Sequence, residues 1–262
     1  MRASPKLAGD IEQRILMDTS LSAEPVLHNM AVLGIDPGSI DAVFLSHCHD
    51  DHTGGLPGVI EAIDKPGLPI VAHPELFRPN LWFETSLRIL GMTELQQRQI
   101  HESGAVPVLV KEPFQLFPGL ISTGEIARTT DFEVSEIGAY NVVDGRLEED
   151  PLLDDMSLVV NVKGKGLVII TGCGHAGIIN IVRHAQRITG IDRVDGIMGG
   201  FHLIDRTPDQ IEKTVEALLA VDARWVVSGH CTGFEANKMI SSALGERFNL
   251  LHSGKHVVVS SQ

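Results

Sequence analysis

The stretch SHCHDDHTGGL, residues 46–56, places three histidines and two aspartates within six consecutive positions. It directly follows AVFLS (42–46), an apolar run with the composition of a buried strand. Side chains two positions apart on an extended chain point the same way. We therefore expect the imidazoles of His47 and His49 to project together from the end of this strand.

Asp51 and His52 come next, on a turn that we predict at TGG (53–55). A pair of ligands at a strand end and a second pair on a tight turn can hold two cations a few ångströms apart. Such an arrangement suits metal-assisted hydrolysis, in which an ion activates water and clamps the substrate oxygen. A surface role is common for a lone histidine, but the block of four ligand-type residues favours a metal site.

The net charge of the chain is −13 over 262 residues. This charge disfavours binding to nucleic acid or to an anionic membrane surface, because both carry the same sign. The longest strongly apolar stretches, such as GLVIIT (166–171), are too short to span a bilayer, and the first twenty residues lack a secretory apolar core. We expect a soluble, cytoplasmic protein that binds a small molecule and neither nucleic acid nor membrane.

All three cysteines, Cys48, Cys173 and Cys231, lie one or two positions from a histidine. One interpretation is free buried thiols in a reducing compartment, which suits their odd number. The alternative, which we favour, places all three near one common site, although we expect Cys48 itself to point away, between two histidines that point in.

Apolar runs of strand length alternate with helix-like segments in both halves of the chain, which indicates an α/β architecture. The predicted strands are PIVAH (69–73), SLVVNV (157–162), GLVIIT (166–171), VDGIMGG (194–200), RWVVSGH (224–230) and HVVVS (256–260), the second and third forming a hairpin. The predicted helices are LPGVIEAI (56–63), GIINIVRHAQRI (177–188), TPDQIEKTVEALLAV (207–221) and FEANKMISSAL (234–244).

The middle of the chain, about 80–155, has a less regular pattern. It contains ETSLRILGMTELQQRQIHESG (84–104), predicted to be helical, and the acidic run DGRLEEDPLLDD (144–155). That run is either a solvated loop or part of a lid, since long insertions in compact domains are often functional. No Pro/Ser-rich linker divides the chain, so we predict one domain over 1–262 with an irregular insertion or lid at about 80–155.

The block after AVFLS resembles the signature of the metallo-β-lactamase superfamily, His-x-His-x-Asp-His after a buried strand. Together, the further matching segments resemble the subgroup around the archaeal dihydropterin–ribofuranosylaminobenzene 5'-phosphate synthases. These segments are ILMDTS (15–20), STGEIAR (122–128), DDMSLVV (154–160), ITGCGHAGIIN (170–180), GGFHL (199–203) and GHCTG (229–233). The resemblance implies a four-layer αββα sandwich of mixed α and β structure, with a metal site at one edge.

The resemblance also implies a ligand set. His47, His49 and His175 would bind a first metal, and a second would be bound by Asp51, His52 and His230. One or two zinc ions are expected, with Mn²⁺, Fe²⁺ or Mg²⁺ as alternatives.

The candidate catalytic residues are the ligand Asp51 and a further histidine, His202. The His202 side chain can donate a proton to a leaving group or contact a substrate phosphate. Asp18 is expected to accept a hydrogen bond from a ligand histidine.

The chain departs from its relatives at three places. Cys173 stands where many relatives have a metal-bridging aspartate, and its thiolate is a possible ligand that would favour zinc. Cys48 and Asp50 replace other residues inside the signature. Only about fifteen residues precede ILMDTS, so we expect either an abbreviated N-terminal strand pair or a covered edge, for example in a homodimer.

Three functions are compatible with these features. The first is a metal-dependent hydrolase that uses a metal-activated water on a small phosphorylated or ester-like substrate. The second is a transferase like the synthases of the subgroup, which would join a pterin diphosphate to an aminobenzene ribotide and release pyrophosphate. The third is a non-catalytic metal or ligand sensor, which retention of the whole ligand set disfavours.

Overall fold

The computed structural model of the protein describes residues 2–3, 12–83, 85–133 and 138–261. The strands are β1 Arg2–Ala3, β2 Ile15–Met17, β3 Ala42–Phe44, β4 Pro69–Ala72, β5 Asn80–Phe83, β6 Leu87–Ile89, β7 Val106–Leu109, β8 Phe114–Phe117, β9 Leu120–Ser122, β10 Ala139–Val143, β11 Arg146–Glu149, β12 Ser157–Val162, β13 Gly166–Thr171, β14 Val194–Gly200, β15 Trp225–Gly229 and β16 Phe248–Leu250. The α-helices are α1 Ala23–Val32, α2 Asp50–Thr53, α3 Leu56–Ile63, α4 Glu94–Glu102, α5 Ile178–Thr189, α6 Pro208–Val221 and α7 Phe234–Leu244.

The chain groups into two compact units. The first comprises Met1–Lys111 and Glu136–Asp154, and the second comprises Glu112–Ser135 and Asp155–Gln262. The single domain expected over 1–262 stays a prediction. Among the described residues, no helix combines the length and apolarity needed to cross a bilayer.

The first unit contains a five-stranded sheet in the order β1-β2-β3-β4-β7, in which β2, β3, β4 and β7 are parallel. Helix α3 packs against it because its apolar residues recur at three and four positions: Leu56, Val59, Ile60 and Ile63 are all buried. Burying each such side chain contributes roughly 1.5–3 kcal/mol. This confirms the helix predicted over 56–63, which directly follows the signature.

The opening strand of this unit is short. Strand β1 has two residues and pairs antiparallel with β2, through Arg2 with Leu16 and Ala3 with Ile15. Residues 4–11, on which part of the expectation of an abbreviated N-terminus falls, lie outside the described residues.

The segment that we predicted to be irregular contains eight regular elements among its described residues. Strands β5, β6, β10 and β11 form a separate four-stranded antiparallel sheet in the order β11-β10-β5-β6. Helix α4 starts only at Glu94, after a capping box between Thr93 and Gln96. The continuous helix predicted over 84–104 is therefore wrong, because Leu87–Ile89 instead forms a hairpin with β5, from Phe83 with Leu87 to Leu81 with Ile89.

The second unit contains a seven-stranded sheet in the order β16-β15-β14-β13-β12-β9-β8. Strands β12 and β13 form the predicted hairpin, and β13, β14, β15 and β16 run parallel. Helix α6 begins with the capping box of Thr207 and Gln210, and α5 and α7 lie where the sequence predicts them. The apolar faces of these helices and of the sheet form one buried cluster.

The last strand is not where we predicted it. Strand β16 is Phe248–Leu250, which pairs with β15 through Val226 with Phe248, whereas the described residues 256–260 contain no strand. The valines of that segment favour extended structure only where a neighbouring strand offers hydrogen bonds, and Phe248–Leu250 takes that place.

Candidate metal centre

In the first unit, the carboxyl ends of two neighbouring parallel strands carry Asp18 and Ser46. The Ser46 N–H donates to Asp18 Oδ1 at 2.8 Å, and its hydroxyl donates to Asp18 Oδ2 at 2.8 Å. Asp18 holds a left-handed backbone with φ of 59°, a strained conformation that the surrounding hydrogen bonds maintain. This carboxylate is therefore fixed beside the first residues of the signature.

His47 and His49 meet as expected from their spacing. His47 Nε2 lies 3.1 Å from His49 Nδ1, and both side chains are buried. Ser46 Oγ, whose proton is donated to Asp18, lies 2.9 Å from His47 Nδ1 and so accepts from it. This leaves the lone pair of His47 Nε2 directed at His49, which is the protonation state that metal binding requires.

Asp51 and His52 lie on α2, a single helical turn, rather than on the turn that we predicted at residues 53–55. The His49 carbonyl starts this turn, accepting from the N–H groups of His52 and Thr53. The Asp18 carboxylate lies 2.7 Å from His52 Nδ1, and Asp51 Oδ2 lies 3.5 Å from His52 Nε2. The contact expected between Asp18 and a histidine of the signature is therefore present, with His52.

The glycines of the signature let this turn approach the Asp18 loop. A β-carbon on Gly55 would lie 2.2 Å from the Thr19 carbonyl oxygen, and one on Gly54 would lie 2.3 Å from that of Leu21. Both distances are far below contact, so only glycine fits. The close approach also allows the Thr19 N–H to donate to the His52 carbonyl at 2.7 Å.

Cys48 belongs to the core of the first unit. Its side chain is fully buried in the apolar cluster under the sheet, and burial raises the pKa of its thiol well above the usual value. Its backbone N–H donates to Asp154 Oδ2 at 2.7 Å, and Asp154 also pairs with Arg78 at 2.8 Å. Cys48 therefore points away from the two histidines beside it, as predicted, and its thiol is not part of a site shared with the other two cysteines.

Asp50 adds negative charge to the same turn. Partial burial, together with the nearby Asp51 carboxylate, raises the pKa of Asp50. Its backbone N–H donates to the Leu90 carbonyl at 2.6 Å, which ties α2 to the end of β6.

In the second unit, three adjacent parallel strands end beside one another. Cys173 follows β13, His202 follows β14, and His230 follows β15. Carboxyl ends of adjacent parallel strands open at the same sheet edge, where ligands bind in open α/β sheets. His202 and His230 have left-handed φ values of 41° and 53°, so two of these three residues hold strained backbones.

Cys173 contacts both residues that follow β15. Its Sγ lies 3.2 Å from His230 Nε2, and the Cys231 thiol donates to its carbonyl oxygen at 3.4 Å. A hydrogen bond with Cys173 lowers the pKa of the Cys231 thiol well below its usual value, against the cost of burial and with help from His202. Cys173, His202 and Cys231 form a group whose ligand atoms all lie within 4.8 Å of one another, so the second unit has soft donors suited to zinc.

His175 lies next to His202, with ring centroids 4.1 Å apart. The loop that carries it is fixed by Asp155, which accepts from the Ala176 N–H at 2.9 Å. Both histidines line a small pocket of this unit, together with Phe132, Glu133, Arg206 and Gln210.

Glu133 is a member of this pocket that has a second role. Its carboxylate accepts from the N–H groups of Ile179 and Asn180 at 2.8 and 2.9 Å, at the start of α5. Burial raises the pKa of Glu133 despite these two bonds. The carboxylate therefore holds the first turn of α5 beside the pocket.

The donor sets within each unit have the spacing of ligands on one ion. Two nitrogens at about 2.0–2.1 Å from a tetrahedral ion are about 3.3–3.4 Å apart. The 3.1 Å between His47 and His49 and the 3.5 Å between Asp51 and His52 are close to this value. The 3.2 Å from Cys173 Sγ to His230 Nε2 is a little short of the roughly 3.6 Å for a sulfur and a nitrogen on zinc. The residues present fit a divalent cation.

The model of one family matches residues 8–230, and that family is the metallo-β-lactamase superfamily. The chain belongs to this superfamily. Its mixed α and β structure is the metallo-β-lactamase fold, as expected from the resemblance of the signature.

Within the superfamily, the chain is similar to a synthase from Methanocaldococcus jannaschii, 7,8-dihydropterin-6-methyl-4-(β-D-ribofuranosyl)-aminobenzene-5'-phosphate synthase. The two are 40% identical over 249 residues, which cover 94% of this chain and 84% of that protein. An uncharacterized protein of the same organism is 29% identical over 243 residues, 93% of this chain and 88% of that one. The expected subgroup is therefore confirmed.

Among solved structures, the chain is similar to Tm1679, a metal-dependent hydrolase of the β-lactamase superfamily. The TM-score is 0.82 at 26% identity, over 99% of this chain and 97% of that one. The metallo-β-lactamase fold protein YhfI from Bacillus subtilis, with a TM-score of 0.55 at 13% identity over 95% of this chain and 87% of that one, shares the fold.

Two residues of the site had no role assigned from sequence. Cys231 was noticed only because it follows His230, and its hydrogen bond to Cys173 depends on the pairing of β13, β14 and β15. Glu133 has no motif around it, and the chain must fold before its carboxylate reaches α5 more than forty residues away.

Proposed function

We propose that the protein is a metal-dependent synthase that joins a pterin diphosphate to an aminobenzene ribotide and releases pyrophosphate. The observation that carries this proposal is the 40% identity to a protein named for this product, over nearly the whole of both chains. In the reaction, the aromatic amine nitrogen forms a bond to the pterin methylene carbon. The bond from that carbon to the diphosphate oxygen breaks, and the amine loses a proton.

We propose that His47, His49 and His175 hold one cation, and that Asp51, His52 and His230 hold a second. Cys173 is a further ligand in this proposal, and its thiolate together with the imidazoles favours zinc over harder ions. Membership of the superfamily and the ligand spacing within each unit support this assignment. A bound divalent ion would supply a positive charge that stabilises a departing diphosphate.

The residues around these ligands have roles of their own in the proposal. Asp18 and Ser46 keep the metal-facing nitrogens of His47 and His52 unprotonated by accepting hydrogen bonds from the opposite ring nitrogens. His202 and Arg206 line one pocket of the second unit, where a ring N–H and a guanidinium can both donate to a phosphate group. His202 would also donate a proton to the leaving group.

A second candidate is hydrolysis of a small phosphorylated or ester-like substrate. The similarity to Tm1679, a metal-dependent hydrolase, over the whole chain favours this alternative. The same donor set would serve it, because a metal ion lowers the pKa of bound water toward neutrality. The two candidates differ in the nucleophile, which is an aromatic amine in one and water in the other.

The purified, metal-loaded protein should be incubated with the pterin diphosphate and the aminobenzene ribotide, and the products should be identified by mass spectrometry. The synthase proposal predicts one product containing both parts and one pyrophosphate per product. Release of pyrophosphate with only the pterin alcohol would support the hydrolase instead. Metal-loaded protein that gives neither product, and that is inactive on a phosphodiester, phosphatase and lactone panel, would contradict both.

A matched pair of variants tests whether the activity belongs to this site. His49→Ala should abolish the product, because it removes a proposed ligand. His28→Ala, on the exposed surface of α1, should leave the product yield unchanged.

We also propose a reducing compartment, the cytoplasm, because the three cysteines form no disulfide with one another. The charge of −13 supports a small-molecule substrate rather than a nucleic acid partner or a membrane surface.

A further inference from the structure

One face of the four-stranded sheet in the first unit is exposed and mostly apolar. Residues paired across strands share a face, and the pairs are Leu81 with Ile89, Phe83 with Leu87, Tyr140 with Leu81, Tyr140 with Glu149, and Val142 with Leu147. We call this set the β5–β6–β10–β11 face: Leu81, Phe83, Leu87, Ile89, Tyr140, Val142, Leu147 and Glu149. Five of its side chains are 43–59% exposed: Phe83, Leu87, Ile89, Val142 and Leu147.

The opposite face of the same sheet has a different character. Its paired positions include Trp82 with Arg88 and Asn141 with Glu148, and the Arg88 guanidinium lies 5.6 Å from the Trp82 ring centroid. A sheet that faced water on one side would expose its polar residues there and bury its apolar ones. Here the exposed positions of the β5–β6–β10–β11 face are apolar except for Glu149, which ends the edge strand β11.

The exposed apolar area on this face is that of a functional patch. Five side chains of this size and exposure present on the order of 500 Å² of apolar surface, and the largest apolar patch of a monomer, roughly 300–600 Å², is often a binding site. Two such faces packed together would bury on the order of 1,000 Å² from these side chains alone. Adding Leu81, Tyr140 and the strand backbones brings the contact to the roughly 1,200 Å² at which specific interfaces begin.

We propose that the β5–β6–β10–β11 face is the interface of a homodimer, in which a second copy of this chain packs the same face against it. The face is suited to itself, because two twisted sheets stack at a small angle with their apolar side chains interdigitated, and a two-fold axis satisfies both copies at once. Its area matches a dimer contact. The net charge of −13 disfavours an anionic membrane as the occupant.

This interface is separate from the N-terminal edge that the sequence suggested for a homodimer. It also does not depend on the proposed reaction, because none of its residues belongs to the candidate metal centre.

Adjacent residues of β10 provide a matched test. Val142 and Val143 are 43% and 40% exposed, but only Val142 lies on the β5–β6–β10–β11 face. Sedimentation equilibrium of the wild-type protein should give twice the 28.4 kDa chain mass. Val142→Glu would place one carboxylate per copy in the interface and should raise the dimer dissociation constant at least about 100-fold, while Val143→Glu should change it less than about threefold.

Far-ultraviolet circular dichroism should show that both variants keep the wild-type fold. The proposal is overturned by a wild-type protein that stays monomeric up to about 100 μM, well above the range of specific dimers. It is equally overturned by a dimer that Val142→Glu leaves intact, or by equal weakening in both variants. A monomer that captures a different protein through this face would also overturn it.

Discussion

Asp18 determines which ring nitrogen of His47 and of His52 is available to bind a metal. It accepts from the Ser46 N–H and hydroxyl and contacts His52 Nδ1, so that His47 and His52 both keep Nε2 for a metal. Asn is the substitution that best isolates this role, because it tolerates the left-handed backbone that Asp18 adopts.

We predict that Asp18→Asn weakens metal binding roughly 10–100-fold, since the neutral amide is a poorer partner for both groups. Competition with a chromophoric chelator measures this affinity. Asp36→Asn is the control, because Asp36 caps an exposed turn by accepting from the Gly38 N–H and lies outside the site. Equal affinities for Asp18→Asn and wild type would contradict the role.

Cys173 provides a soft thiolate donor to the proposed metal site. An aspartate at this position replaces a thiolate by a hard oxygen donor, which favours ions such as Mn²⁺ over zinc. We predict that Cys173→Asp lowers the ratio of zinc to manganese affinity about tenfold or more. Cys48→Ala, which removes a buried thiol of the core, should lower stability and leave that ratio unchanged. An unchanged ratio in Cys173→Asp would show that this thiol faces away from the metals.

The sequence predicts which residues form the candidate site better than it predicts the residues that they contact. His47, His49, Asp51 and His52 follow from one contiguous block, whose local spacing brings the side chains together. The contact between Cys173 and Cys231 does not follow, because it depends on which strands are neighbours in the sheet. The orientation of Cys48 toward the core could be predicted only from its position between two histidines, whose side chains point the opposite way on an extended chain.

At the scale of elements, the turn from α2 into α3 must lie against the loop that carries Asp18. Gly55 makes this approach possible, since a β-carbon there would lie 2.2 Å from the Thr19 carbonyl oxygen. We predict that Gly55→Ala lowers the free energy of unfolding by about 2–4 kcal/mol, the range of overpacked buried sites. Displacement of the Asp18 loop should also weaken metal binding.

Urea unfolding of Gly55→Ala and of Gly38→Ala measures the effect. A β-carbon on Gly38 would meet its nearest atom, Asp36 Oδ1, at 3.4 Å, so this control should unfold close to wild type. A stability of Gly55→Ala within about 0.5 kcal/mol of wild type would contradict the close approach.

Helix α5 places a neutral histidine in the second unit. His184 Nε2 lies 3.1 Å from the Thr123 carbonyl, and its Nδ1 accepts from the Ala127 N–H at 3.2 Å. Burial lowers the pKa of His184, and the nearby Arg187 charge adds to this effect. The unfolded chain therefore takes up a proton near pH 6.5, while the folded protein does so only at lower pH.

The His184 contribution to stability should therefore be lost as pH falls below about 6.5 toward the lower pKa of the folded protein. Urea midpoints of metal-free protein at pH 7.5 and 5.5 measure this loss. His184→Gln has no charge to gain and should show a smaller drop between the two values. An equal drop in variant and wild type would mean that other groups account for the pH dependence.

At the scale of the molecule, the alternating pattern predicts the strands β3, β4 and β12 to β15 and the helices α3, α5, α6 and α7. These elements are amphipathic or continuously buried, so local periodicity reports their packing. The prediction for the middle segment fails because two hairpins, β5–β6 and β10–β11, join into one sheet through β5 and β10, which pair more than fifty residues apart. The same pairing creates the exposed apolar face, which no periodicity could assign to an interface.

The function proposed for the whole molecule requires that both sets of ligands bind metal. Elemental analysis of protein purified from metal-supplemented medium tests this most directly. We predict about one to two zinc ions per wild-type chain, and a clear loss of metal in both His49→Ala and His230→Ala. Less than about half an ion per wild-type chain, or wild-type metal content in both variants, would contradict the account.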